Sequence, residues 1–151
     1  MDTVSVITEN ASMTKELGVK IGALAKPDMV ILLSGDLGAG KTTLTQGIAK
    51  GLGISRTVTS PTFTIQKLYR DGRLVLNHID AYRLEGLNQD LGFEEYLYDG
   101  CLTVIEWAQF APNLIPEEHL SISIHLLEDD RREFILQPVG ETYKTFVEAL
   151  L

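Results

Sequence analysis

An α/β fold, with a sheet parallel at its centre and antiparallel at an edge, is predicted by three observations. Residues 29–33, MVILL, form an unbroken apolar run, the pattern of a strand buried on both faces. The run leads through a glycine-rich stretch, GDLGAGKTT at 35–43, into residues with helical spacing. The later part of the chain is rich in strand-like segments, which adds antiparallel pairing to a strand–loop–helix core.

The elements follow in order. TVSVIT alternates and predicts a short strand. NASMTKELGVKIGALAKP predicts a helix with Leu17, Ile21, Leu24 and Ala25 on one face, capped by Asn10 or Ser12 and stopped at Pro27. Gly18 and Gly22 count against that helix, because glycine is a poor helix former. Residues 41–52 predict a second helix, with Leu44, Ile48 and Leu52 in one stripe and Gly53 as its end signal. Residues 60–84 contain two strand-like runs around Asp71–Gly72, a hairpin signal. LNQDLGFEEYLYDG reads as partly helical, and CLTVIEW as another buried strand. Pro112 and Pro116 bracket a loop. HLSISIHL alternates, with Leu120, Ile122, Ile124 and Leu126 facing one way. EDDRR turns the chain and REFILQP returns it. GETYKTFVEALL closes as an amphipathic helix with Tyr143, Phe146, Val147 and Leu150 in one stripe.

With 151 residues the chain suits one domain, 1–151, with a real core. Its content, 44% hydrophobic and 23% charged, is that of a globular protein. No apolar run approaches the roughly 18–20 residues that span a membrane, and MDTVSVITEN has neither the basic nor the apolar region of an export signal. One cysteine, Cys101, cannot form an internal disulfide and reads as a buried thiol, so a reducing, cytoplasmic setting is expected. The net charge of −8 argues against charge-driven nucleic-acid binding, despite Lys50 and Arg56 in KGLGISR.

Residues 35–42 match G-x-x-x-x-G-K-[ST] at every fixed position. Chance would supply that match in about one chain of this length in a few hundred, and its place between strand and helix makes chance a poor account. Glycines let the backbone wrap around a phosphate, so that several N–H groups point at it. The helix starting near Lys41 adds its positive end. Lys41 suits β- and γ-phosphates, and the Thr42 hydroxyl suits Mg²⁺. Such a site needs a carboxylate at the end of a neighbouring strand. Two qualify: Asp80 after residues 74–79, and Glu106 after residues 102–105. TSPTFT at 59–64 stands where a γ-phosphate-sensing loop is common. His78 shares a strand face with Asp80 and either supports it or belongs to the core. His119 and His125 lie on a polar strand face without zinc spacing.

GDLGAGKTT, SPTFT, HIDAYRL and IEW, in this order and spacing, resemble the bacterial TsaE (YjeE) family. The resemblance covers about residues 10–110. It implies a three-layer P-loop NTPase-like fold with a mixed sheet, and a small ATPase with ATP and Mg²⁺. It further implies a role in forming threonylcarbamoyladenosine beside the anticodon of tRNA. The partners implied are TsaB and TsaD, with tRNA met only through their complex and no membrane. ATP hydrolysis would reset that complex, while another enzyme makes the threonylcarbamoyl-adenylate. The nucleotide-binding residues implied are Gly35, Asp36, Leu37, Gly38, Ala39, Gly40, Lys41, Thr42 and Thr43, with Trp107 beside the site. An arginine near the nucleotide matches Arg132, although the EDDRR turn also allows Arg131. Thr42 and Glu106 match the Mg²⁺ ligands, Asp80 a required acid, and Thr62 the switch-like loop. Residues 10–14 would lie near the base.

For the mechanism, Lys41 and the loop amides hold phosphates, and Asp80 orients water, with Thr62 as an intermediary. No arginine stands out as a finger among Arg56, Arg70 and Arg83, so slow hydrolysis by the isolated chain is expected. Two rivals are weighed. A small-molecule kinase would need an arginine-bearing lid where this chain has alternating strands. A nucleotide-dependent binding module would bind without hydrolysing.

Overall fold

The computed structural model describes residues 3–35, 40–59, 66–82 and 99–151. Asp36, Leu37, Gly38, Ala39, Thr62, Arg83, Tyr96 and Tyr98 lie outside the described residues, as does nearly all of the segment read as partly helical. The strands are β1 (Val4–Thr8), β2 (Val30–Gly35), β3 (Gln66–Tyr69), β4 (Val75–Asp80), β5 (Cys101–Glu106), β6 (His119–Leu126) and β7 (Arg132–Val139). The helices are α1 (Ala11–Leu24), α2 (Lys41–Gly51) and α3 (Glu141–Leu150).

All seven strands join one sheet in the order β1-β7-β6-β2-β5-β4-β3. The pairs β6–β2, β2–β5 and β5–β4 are parallel. Antiparallel pairs flank them on both sides, β1–β7–β6 on one and β3–β4 on the other. The expected antiparallel edge is therefore two edges, because the hairpin at 66–80 joins the sheet opposite the terminal strands.

Continuous apolar runs arise where both sheet faces are covered. Ile31 and Leu33 of β2 join Leu102 and Val104 of β5 in a core shared with Leu17, Ile21, Leu44, Ile48 and the stripe of α3. Val30, Ile79 and Ile105 point the other way, into a smaller core. Among the described residues, two 3-10 turns cover that face, Ala108–Phe110 and Pro112–Leu114, where a plain loop was expected. Tyr143 of α3 also accepts the Val30 N–H at 2.8 Å.

Helix α1 starts on Asn10, whose side chain accepts from the Met13 N–H at 2.9 Å. Leu24 is exposed rather than part of the apolar stripe, whereas Leu17, Ile21 and Ala25 are buried. The Arg73 guanidinium donates to the carbonyls of Gly22 and Ala25 at 2.8 and 2.9 Å, meeting the orphan acceptors at the end of this helix. The Asp71–Gly72 signal does mark a hairpin, but not a two-residue turn. Tyr69 pairs with Leu76, and residues 70–74 form a longer loop tied to the end of α2. The Arg73 N–H reaches Leu52 O at 2.6 Å. The Ser55 N–H and hydroxyl donate to Asp71, which holds that carboxyl below its usual range. A Cβ at Gly72 would stand 2.7 Å from Leu52 O, so the glycine serves close approach.

Candidate functional site

Parallel strands bring their C-terminal ends to one edge, where ligands of open α/β sheets bind. β2 ends there at Gly35, β4 at Asp80 and β5 at Glu106. The register sets Asp80 directly beside Glu106, and Glu106 beside Leu33. Side chains alternate along a strand, so His78, Asp80 and Glu106 share the faces of Leu76, Leu102 and Val104, which meet α1 and α2.

The glycine-rich stretch enters α2 through Gly40, whose φ of 109° and ψ of 14° lie in the left-handed region open to glycine. Gly40, at the N-cap, has no side chain to cap this helix, and an uncapped helix start of this kind suits an anion. A Cβ built on Gly40 would stand 3.8 Å from Arg132 Nε and 4.0 Å from Thr14 Cγ2. Of the two arginines considered, Arg132 thus borders Gly40. Arg131 turns back, its Nε–H donating to Glu128 O at 3.3 Å. The Thr14 hydroxyl is buried against that of Thr8 at 2.7 Å, and Thr8 pairs with Arg132 across β1–β7. Thr14, at the end of the 10–14 segment, therefore also borders Gly40, while Asn10 caps α1.

Lys41 is buried at the start of α2, its Nζ 3.7 Å from Glu106 Oε1 and 4.8 Å from the centre of the Trp107 ring. The other oxygen, Glu106 Oε2, lies 2.6 Å from His78 Nε2. Asp80 has a different partner, its Oδ1 accepting the Tyr82 N–H at 3.0 Å. The two candidate acids are thus neighbours with different partners. His78 meets Glu106, where the sequence had left it either supporting Asp80 or belonging to the core. Trp107 has a left-handed φ of 58°, and its ring meets Tyr82 at 5.3 Å and Phe110 at 6.0 Å. This aromatic group beside Lys41 was missed, because Tyr82 and Phe110 belong to separate stretches that only the fold joins.

Thr42 and Thr43 are half-buried in the first turn of α2. Glu106 beside Lys41, and Asp80 paired with Glu106 on the next strand, are hard oxygen donors, with the Thr42 hydroxyl next to Lys41 in sequence. That donor set suits a small divalent cation shared with phosphate, since Mg²⁺ takes few protein ligands. Among the described residues no cluster of three or more His, Cys, Asp or Glu forms a cage that would hold a metal without substrate. No helix among them is long and apolar enough to cross a membrane.

A seven-stranded mixed sheet, parallel at its centre, with a buried lysine at the start of α2 meeting a strand-end acid, defines a protein of the α/β class. The family described as "Threonylcarbamoyl adenosine biosynthesis protein TsaE" matches residues 8–134. A tRNA threonylcarbamoyladenosine biosynthesis protein TsaE from Bacillus subtilis is 47% identical over 143 residues, covering 95% of this chain and 90% of the relative. One from Treponema pallidum is 40% identical over 129 residues, covering 84% and 95%. The crystal structure of Bacillus subtilis YdiB superposes with a TM-score of 0.85 at 40% identity, covering 99% of this chain and 94% of that one. The chain belongs to the TsaE family.

Proposed function

We propose that the chain, acting as one unit over residues 1–151, binds ATP with Mg²⁺ and hydrolyses it in the service of threonylcarbamoyladenosine formation in tRNA. The observation that carries this reading is Lys41 against Glu106, at the start of α2 and beside Asp80. Family membership supports the tRNA-modification role. The partners in this reading are TsaB and TsaD, tRNA is met only through them, and the setting is cytoplasmic.

Lys41 and the N–H groups of residues 35–43 hold the β- and γ-phosphates, with Arg132 and Trp107 flanking the nucleotide. Glu106 and Thr42 would hold Mg²⁺, which supplies neutralisation of phosphate charge when bound. Asp80 orients the attacking water, with Thr62 as the switch-like residue. Phosphoryl transfer needs positioning and charge compensation more than covalent chemistry, and these groups offer both. Arg56 is engaged by other partners, with Nε 3.5 Å from Asp71 and one N–H donating to Leu68 O at 3.1 Å. An absent arginine finger lowers turnover by about 10³–10⁵ in related chemistry, so the isolated chain should be slow.

Phosphate release from Mg-ATP, by the chain alone and with TsaB–TsaD, tests this. The expected result is a slow basal rate, raised strongly by the pair and abolished in Lys41→Ala. Binding of Mg-ATP without release, even with the pair present, would replace the ATPase by a nucleotide-dependent binding module.

A further inference from the structure

His78 is fully buried in β4, and no motif chemistry requires it. Its Nε2 lies 2.6 Å from Glu106 Oε2, whereas its Nδ1 has no hydrogen-bond partner among the described residues. A buried polar atom without a partner carries a free-energy cost that an apolar residue of similar size would avoid. The histidine is therefore accounted for by its one short bond. An ionised carboxylate only accepts, so Nε2 must be the protonated nitrogen that donates to it.

This bond divides the two oxygens of Glu106. Oε2 is committed to His78, and Oε1 faces Lys41 at 3.7 Å. We propose that His78 is a positioning residue that fixes the Glu106 carboxylate, so that it presents a single oxygen, Oε1, to the nucleotide site. The inference rests on the reading of Glu106 as the acid that faces the cation. A carboxylate restricted to one oxygen suits Mg²⁺, which demands near-ideal octahedral geometry at short distance. It suits Ca²⁺ less well, because that larger ion takes more ligands and accepts carboxylates through both oxygens. His78 thus sets a preference for Mg²⁺ without touching the cation.

The test measures ATP binding with Mg²⁺, with Ca²⁺ and with a chelator. It compares the unsubstituted protein with His78→Leu, His78→Gln and Glu106→Gln. The unsubstituted protein should favour Mg²⁺ over Ca²⁺. In His78→Leu that preference should shrink about 10-fold, within the range seen when outer-shell partners are removed, with binding in chelator unchanged. His78→Gln, whose amide can donate to Oε2, should recover part of it. Equal Mg²⁺ to Ca²⁺ ratios in the unsubstituted protein and His78→Leu overturn the proposal. Unchanged cation dependence in Glu106→Gln overturns instead the reading of Glu106 on which it rests. A nitrogen NMR spectrum of the nucleotide-free, unsubstituted protein decides the matter even if His78→Leu does not fold. A slowly exchanging, low-field proton on Nε2 of His78 is expected, and a proton on Nδ1 alone would overturn the assignment.

Discussion

Trp107 holds a left-handed backbone at φ 58°, a conformation that a bulky residue adopts under constraint, at a cost of about 1–3 kcal/mol. Its neighbours show what the strain secures. The turn after β5 sets the indole beside the buried Lys41 ammonium, 4.8 Å from the ring centre, and against Tyr82. Among the described residues, Lys41 therefore meets the indole face and Glu106. Phosphate oxygens bring more negative charge and should draw Nζ away from the ring. The chain has one tryptophan, so indole emission reports on this residue alone. Titration with Mg-ATP should give a saturable change in emission. Lys41→Ala should start from an altered spectrum and show no such change. A flat titration at concentrations where ATP is bound would mean that Lys41 stays in place. Lys41 and the two strand-end acids, which the structure brings to one sheet edge, could be picked out from the sequence. Their division of labour could not, since it depends on a parallel register that places Asp80 beside Glu106 and gives each a different partner.

Helices α1 and α2 meet through glycines on both sides. A Cβ at Gly18 would fall 2.3 Å from Leu44 O, and one at Gly22 would fall 2.1 Å from Ile48 O. The reciprocal contacts are as tight, Gly47 on Lys15 O at 2.2 Å and Gly51 on Val19 O at 2.2 Å. These are backbone atoms, so a methyl group can be admitted only by parting the helices. Gly47→Ala should gain up to about 1 kcal/mol in helix propensity and lose about 1–3 kcal/mol to overpacking. A net loss, read as a lower urea midpoint with unchanged slope, is expected. Lys50→Ala, on the exposed side of α2, should show none. A higher midpoint for Gly47→Ala would mean that the helices part at little cost. The same glycines explain why the sequence undersold α1. Read within one helix, Gly18 and Gly22 are only poor helix formers, and their use appears once a second helix lies against them. Periodicity served better where a single partner surface sufficed. The stripe of α3 is buried as expected, and the run at 29–33 is the central strand. The hairpin loop was misjudged, because Gly72 answers to Leu52 and Ile54 rather than to a tight turn.

Across the whole molecule, the proposed nucleotide site and the lone thiol occupy opposite ends of one strand. β5 runs between β2 and β4, all of its residues are buried, and it carries Cys101 at its start and Glu106 at its end. Cys101 is 2% exposed, so reagents should reach it only when the central sheet opens. Burial pushes the thiol above its ordinary pKa, and the nearby Asp99 charge pushes it further in the same direction. The consequence for stability has a definite sign. Unfolding releases the thiol to its ordinary pKa of about 8.5. Below that pH both states keep the proton and the contribution to stability is complete. Above it the unfolded chain loses the proton first, so stability falls as pH rises toward the folded pKa. The slope from this single group is at most about 1.4 kcal/mol per pH unit. Lysines and tyrosines also titrate in alkali, so the informative quantity is the difference between the protein and Cys101→Ala. Urea unfolding between pH 7 and 10 should give parallel curves up to about pH 8.5. Above that the unsubstituted protein should lose stability faster than Cys101→Ala. Curves that stay parallel throughout would mean that the thiol titrates alike in both states, and that the start of β5 is open to water.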